Sequence, residues 1–195
     1  MRSVGVLALQ GDFAEHIATL RRLGVDAREI RTTKQLAGVG ALIIPGGEST
    51  TMAKLMDMYD LREPITRFAS AGNPVWGTCA GLIMLAKRLA DDRPQPLGLM
   101  DIVARRNAFG RQVDSFETDL DIRGVEGGPY RAVFIRAPIV LETGPSVETL
   151  ASLWDGSVVA ARQDNLLATS FHPELTSDGR VHRYFVEMMA SRATT

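Results

Sequence analysis

Short apolar runs alternate along the first half of the chain with stretches where apolar residues return every three or four positions. Val4 to Leu9 is a continuous apolar run, the pattern of a strand buried on both faces. Phe13, Ile17, Leu20 and Leu23 follow at helical spacing, and Gly24 closes that helix. Asp26 to Ile30 and Ala41 to Ile44 read as the next strands, the second stopping at Pro45-Gly46-Gly47. Ser49 to Met58 is predicted helical, with Ser49 or Thr50 as N-cap. Leu61 to Ala71 is a further helix, stopped by Gly72 and Pro74. Pro74 to Trp76 reads as a strand, and Leu82 to Leu89 as the helix behind it. This alternation predicts βαβ units, hence an α/β fold with a mixed, mainly parallel sheet and helices on both faces.

The second half is richer in strands. Leu99 to Ala104, Phe116 to Ile122, Ala132 to Arg136, Glu148 to Leu153, Val158 to Arg162 and Leu166 to Phe171 carry that pattern. Asp155-Gly156 and Asp164-Asn165 mark turns between the last three. Val181 to Ala190 is the closing helix, with Val181, Tyr184, Phe185 and Met188 on one face. Asp91 to Pro96 is a surface connection, and no repeat, linker or low-complexity stretch divides the chain. A single domain spanning residues 1–195 is expected.

The totals exclude several classes of function. The 22 basic and 23 acidic residues nearly cancel and form no basic run, so neither nucleic acid nor an anionic membrane is expected as a partner. The apolar run near the N-terminus is short for a signal peptide, and no stretch approaches the ~18 apolar residues of a membrane span. One cysteine cannot form an internal disulfide, which suits a reducing compartment; a cytoplasmic protein is expected.

That cysteine, Cys79, lies in Gly77-Thr78-Cys79-Ala80-Gly81, between a predicted strand and a predicted helix. Gly-x-Cys-x-Gly at such a junction has the form of a nucleophile elbow. A backbone bent that sharply leaves no room for a Cβ two residues away on either side. The amides opening the next helix would favour a thiolate. The competing reading is an inert, buried thiol.

A thiol nucleophile needs a base, and the base needs an orienter. His16 reads as a surface or cap residue of the first helix, and His182 as a solvent-facing residue of the last. His172 directly follows the predicted strand, in Phe171-His172-Pro173-Glu174. In an extended segment His172 and Glu174 point the same way, so Glu174 can accept from one ring nitrogen and leave the other for Cys79. A strand end with a solvated Glu174 is the plain alternative.

Three unusual turns lie at the carboxyl ends of predicted strands: Gln10-Gly11-Asp12, Gly46-Gly47-Glu48 and Gly77-Thr78-Cys79. Parallel α/β sheets bind ligands at those ends. Pro45-Gly46-Gly47-Glu48-Ser49 can cradle an anion with its amides, and acyl transfer needs such donors together with the amide of Ala80. The phosphate-binding glycine patterns are absent. Arg105-Arg106 and Arg136 suit carboxylate recognition, and composition does not choose between them. No Cys/His pair has metal-ligand spacing, so neither metal nor cofactor is expected.

Taken together, Gly-x-Cys-x-Gly and His-Pro-Glu resemble the class I glutamine amidotransferase family, whose fold is a three-layer, flavodoxin-like α/β sandwich. Longer stretches narrow the resemblance to the glutaminase subunits of pyridoxal 5′-phosphate synthases. These are Leu9-Gln10-Gly11-Asp12-Phe13 with Glu15-His16, Pro45 to Thr51, Gly77 to Ile83, Arg106-Asn107 with Phe109-Gly110-Arg111-Gln112, Phe134 to Pro138, and Ser170 to Leu175. The resemblance implies hydrolysis of L-glutamine to glutamate and ammonia by a triad of Cys79, His172 and Glu174. It implies an oxyanion hole at Gly47 and Ala80, and glutamine contacts from Gly47, Glu48, Ser49, Arg106, Ile135 and Arg136. It also implies a partner, the pyridoxal 5′-phosphate synthase subunit, in a large hetero-oligomer that receives the ammonia. Two other readings remain at this point: a glutaminase serving a different synthase, and a non-enzymatic cysteine sensor of related fold.

Overall fold

The computed structural model describes residues 3–108 and 115–192, so the Phe109-Gly110-Arg111-Gln112 stretch lies outside the described residues. The first half runs β1 (Val4–Leu7), α1 (Phe13–Arg22), β2 (Ala27–Ile30), α2 (Thr33–Leu36), β3 (Ala41–Ile44), α3 (Ser49–Met58), α4 (Arg62–Ser70), β4 (Val75–Thr78) and α5 (Ala80–Leu85). The second half adds β5 (Ala86–Leu89), β6 (Met100–Arg105), β7 (Ser115–Leu120), β8 (Tyr130–Ile135), β9 (Ile139–Thr143), β10 (Glu148–Ser152), β11 (Val158–Gln163), β12 (Leu166–Thr169) and α6 (Arg180–Arg192). A 3₁₀ turn, Pro173–Leu175, sits between β12 and α6.

One sheet orders its strands β2-β1-β3-β4-β12-β11-β9-β6-β5, with β10 beside β11. The β2-β1-β3-β4-β12 half is parallel throughout, in the flavodoxin-like order. From β12 to β11, β9 and β6 the pairings are antiparallel, and β5 joins β6 in parallel. β7 and β8 form a separate antiparallel pair.

The parallel strands are apolar on both sides because both sides are covered. Val4, Val6, Ile43, Trp76 and Leu167 pack with Leu20 of α1 and Phe185 of α6. Leu7, Leu42, Ile44, Val75 and Leu166 pack on the opposite face with Met52, Leu61 and Ile65 of α3 and α4. Each fully buried leucine, isoleucine or methionine contributes about 1.5–3 kcal/mol of transfer free energy, so this double burial is what fixes the three layers. Among the described residues, no helix is long and apolar enough to cross a membrane.

Two sequence expectations fail here. The helix expected from Leu82 to Leu89 ends at Leu85, and Ala86 turns out with ψ 148°. Ala86–Leu89 becomes β5, with Lys87 and Arg88 exposed and pairing with Asp101 and Glu142. The expected cap at Ser49 or Thr50 is replaced by Glu48, whose carboxylate accepts from the amides of Thr50 and Thr51 at 2.9 and 2.7 Å. The carboxylate gives each amide an oxygen of its own, Oε1 to Thr50 and Oε2 to Thr51. β9 and the short α2 were not foreseen; α2 is closed by a capping box between Thr32 and Gln35.

Candidate active site

β4 runs into a sharp bend at Cys79, which has φ 48° and ψ −101°. That conformation is strained for any residue but glycine and persists only where the surroundings impose it. The Cys79 amide donates to the carbonyl of Thr169 on β12 at 2.8 Å. The glycines on either side explain themselves: a Cβ on Gly77 would strike the backbone of Gly81, and one on Gly81 would strike the carbonyl of Ile44. The Cys79 side chain is 7% exposed, and the thiol lies 3.9 Å from the Ile135 carbonyl, a weak contact.

β12 delivers His172 to the same end of the sheet. Its amide donates to the carbonyl of Val133 at 2.8 Å, tying it to β8. Its Nδ1 donates to Oε1 of Glu174 at 2.7 Å, and Asp12 Oδ2 lies 3.4 Å from the same nitrogen. The Cys79 thiol stands close enough to the ring to favour its charged form. Burial pushes the imidazole down, but the Asp12 carboxylate, the Cys79 thiol and the Glu174 carboxylate beside the ring outweigh it and hold it above its ordinary value. Burial raises the Glu174 carboxyl against the downward pull of His172. These two shifts oppose each other across one contact. The 2.7 Å approach and the second carboxylate nearby favour the imidazolium–carboxylate state. The path between the two residues differs from the extended one expected. A single 3₁₀ turn opened by Pro173 brings Glu174 back beneath His172.

A cavity of about 340 Å³ opens over the thiol, within the usual size range of small-molecule sites. The structure brings Gly47, Glu48, Ser49, Arg106, Ile135 and Arg136 to its walls with Cys79 and His172. Ala80, buried at the start of α5, is not among its lining residues. Asp12, Ile83 and Asn107 also line it, although sequence reasoning gave them no site role. Five non-glycine residues among those described have positive φ, and three of them, Cys79, Asn107 and Arg136, are on this wall. Backbone strain therefore concentrates at the cavity.

Gly47, at φ 146°, packs against the Gln10 side chain where a Cβ would stand, and the Glu48 amide donates to Gln10 Oε1 at 3.1 Å. The Glu48 carboxyl is drawn down to about 2: its partial burial opposes this, but donation from Thr50 and Thr51 wins. Its Oε1 also lies 3.6 Å from the Arg106 guanidinium. Arg106 is steadied from behind, its guanidinium donating to the Arg93 carbonyl at 3.0 Å. Asp12, His172 and Glu174 bring three donor atoms within 4.8 Å of one another, yet Nδ1 of His172 already carries the proton given to Glu174. A larger, more open hollow of about 550 Å³ beside β10 is lined by neither cysteine nor histidine and lies away from this chemistry.

The expectations for the other two histidines are overturned. His16 and His182 are both fully buried rather than at the surface. His16 Nδ1 lies 2.9 Å from His182 Nε2, and both rings pack edge-on against Trp76. Helical spacing placed them on their helices correctly but could not show that α1 and α6 meet across one face of the sheet.

Comparison with known proteins agrees with this geometry. A model of the SNO glutamine amidotransferase family matches residues 6–191. The chain belongs to that family. A relative, "Pyridoxal 5'-phosphate synthase subunit PdxT" of Dehalococcoides mccartyi, is 59% identical over 187 residues, covering 95% of this chain and 96% of the relative. The protein of the same name from Herpetosiphon aurantiacus is 60% identical over 187 residues, covering 94% and 98%. A solved structure described as "Crystal structure of glutamine amidotransferase" superposes with a TM-score of 0.90 at 50% identity, covering 96% of this chain and 98% of that one. The α/β architecture is thus that of a glutamine amidotransferase.

Proposed function

We propose that this chain is the glutaminase subunit of a pyridoxal 5′-phosphate synthase. It hydrolyses L-glutamine to L-glutamate and ammonia and passes the ammonia to the synthase subunit. The supporting observation is a strained cysteine and a buried histidine on the wall of one cavity that also presents two arginines, the histidine hydrogen-bonded to a buried glutamate.

Cys79 attacks the side-chain amide carbon of glutamine, and the oxygen takes on the developing charge. Amides of Gly47 and Ala80 receive that charge. His172 gives its proton to the departing nitrogen, so ammonia leaves and a thioester remains. His172 then takes a proton from water, whose oxygen attacks the thioester and releases glutamate and the thiol. Glu174 keeps the imidazole in one orientation through both steps. Arg106 and Arg136 receive the α-carboxylate of glutamine. Gly47, Glu48, Ser49 and Ile135 shape the remainder of the cradle, and the Glu48 carboxylate holds both the start of α3 and Arg106 in place.

The chain acts as one domain, and we place the reaction in the cytoplasm, where a lone thiol stays reduced. No observation favours a different synthase as recipient, and a sensor thiol has no use for a buried His–Glu pair. Ammonia release from glutamine, measured with and without the purified synthase subunit, tests the proposal. Release that survives Cys79→Ala and His172→Asn in the complex overturns it.

A further inference from the structure

We propose that His16 is a positioning residue for Glu174: an Nε2–H on His16, fixed there by His182, anchors the glutamate oxygen that His172 does not use. This rests on the triad reading above and extends it two residues into the core.

Oε1 of Glu174 is engaged by His172, while Oε2 is buried without an aligned partner. The nitrogen facing Oε2 is Nε2 of His16, at 3.3 Å, with neither side chain exposed. The same nitrogen lies 3.2 Å from Thr78 Oγ1, one residue before the nucleophile. On its other side His16 meets His182, and only one of those two facing nitrogens can carry the proton.

The two proton orders are not equivalent. If His16 carries its proton on Nδ1, its bare Nε2 faces a carboxylate oxygen, and His182 must carry its own proton on Nδ1. That nitrogen is buried with no partner, so a donor is orphaned. If His182 carries its proton on Nε2, it donates to His16 Nδ1, and His16 presents Nε2–H to Glu174 and Thr78. The orphan is then a bare acceptor at His182 Nδ1. Orphaned buried N–H groups are rarer than under-satisfied acceptors, so the second order is the one selected.

Both rings are held neutral by burial. For His16, the charges of His182 and His172 add to that effect, and for His182 the charge of Arg22 does. Facing the pair are His172, Glu174, Thr78 and Trp76 from the sheet side, with Arg22 from α1 and Asp12 beyond Glu174. The resulting chain runs His182 to His16 to Glu174, with His172 donating to the same carboxylate and meeting Cys79. Through it Glu174 stays ionised and fixed while the imidazole gains and loses its proton.

Long-range proton–nitrogen NMR on the 15N-labelled full chain reads the tautomers directly. His16 and His182 should both carry their protons on Nε2; a proton on Nδ1 of His16 overturns the proposal. A second measurement follows glutamine hydrolysis by the complex with the synthase subunit across pH. His16→Met should lower kcat about tenfold to a hundredfold, leave KM within about twofold, and move the acid limb to higher pH. His16→Gln restores a nitrogen donor at similar reach and should recover most of the loss. A folded His16→Met chain with wild-type kcat and pH profile, or a His16→Gln chain no better than it, overturns the role. If the Met variant does not fold, the tautomers decide. If the wild-type complex releases no ammonia, the functional reading fails, and the spectra still settle the proton order.

Discussion

The two halves of the large sheet meet the cavity in different ways. The parallel half supplies Cys79 from β4 and His172 from β12, strands paired in register along their whole length. Both residues follow fully buried strands, and the backbone of each is tied by a 2.8 Å hydrogen bond. The antiparallel strands supply Arg106, just past β6 of the large sheet, and Ile135 and Arg136 at the end of β8, in the separate β7–β8 pair. These are more exposed and sit at strand ends or just past them. The groups proposed to make and break bonds follow core strands, while Arg106, Ile135 and Arg136, proposed to hold the substrate, stand at more exposed strand ends. The division follows from the precision each task needs.

The sharpest way to break this comparison is to remove the reacting group. Cys79→Ala should lower glutamine hydrolysis by at least roughly four orders of magnitude in the complex, with a circular dichroism spectrum unchanged from wild type. Next comes the support beneath it. Gly81→Ala places a methyl on the carbonyl of Ile44, where backbone cannot yield. It should cost about 3 kcal/mol in denaturant unfolding and lower kcat through the displaced elbow.

Changes on the antiparallel side should read out differently. Arg106→Ala is expected to raise KM for glutamine about tenfold to a hundredfold, with kcat within about threefold in steady-state assays. An equal fall in kcat would erase the distinction between the two halves.

The acid side of the stability profile tests the buried histidines. His16 is held well below its ordinary value, and His182 is lowered to about 3, each chiefly by burial. The unfolded chain takes up these protons near pH 6.5 and the folded chain does not, so the stability these two groups contribute is full above that pH and falls below it. Glu174, raised by burial, opposes this by at most one proton, and His172, raised despite its burial by Asp12, Cys79 and Glu174, opposes it only near pH 6.5, until the unfolded imidazole has charged as well. Melting between pH 6.5 and 5 should therefore show a loss of roughly 1 kcal/mol per pH unit, and a flat profile there would remove the buried pair. The smallest expected effect is Glu48→Ala, which removes the cap of α3 and should cost about 1 kcal/mol in thermal melts.

The parallel half was legible because strands covered on both faces have one simple signature, a continuous apolar run. Gly47, Glu48 and Cys79 were nameable because glycine-bearing turns fall at strand ends, whereas Arg106, Ile135 and Arg136 were singled out only by the family resemblance. What escaped had competing local signals. Leu82–Leu89 is apolar enough for one long helix, and only the pairing of β5 with β6 ends it at Leu85. The hydroxyls of Ser49 and Thr50 looked like caps until Glu48 was seen reaching two amides. His16 and His182 lie 166 residues apart and meet only through the tertiary fold, so no local pattern pairs them. Gln10 had a signal, its place in the first strand-end turn, but nothing local tied it to Gly47.

The chain's only thiol is also the one proposed to react. A thiol-directed electrophile or fluorophore has a single address and needs no background cysteines engineered away. The rate at which it attaches would follow occupancy of the glutamine cradle in real time, making the unaltered protein its own reporter of substrate and partner engagement.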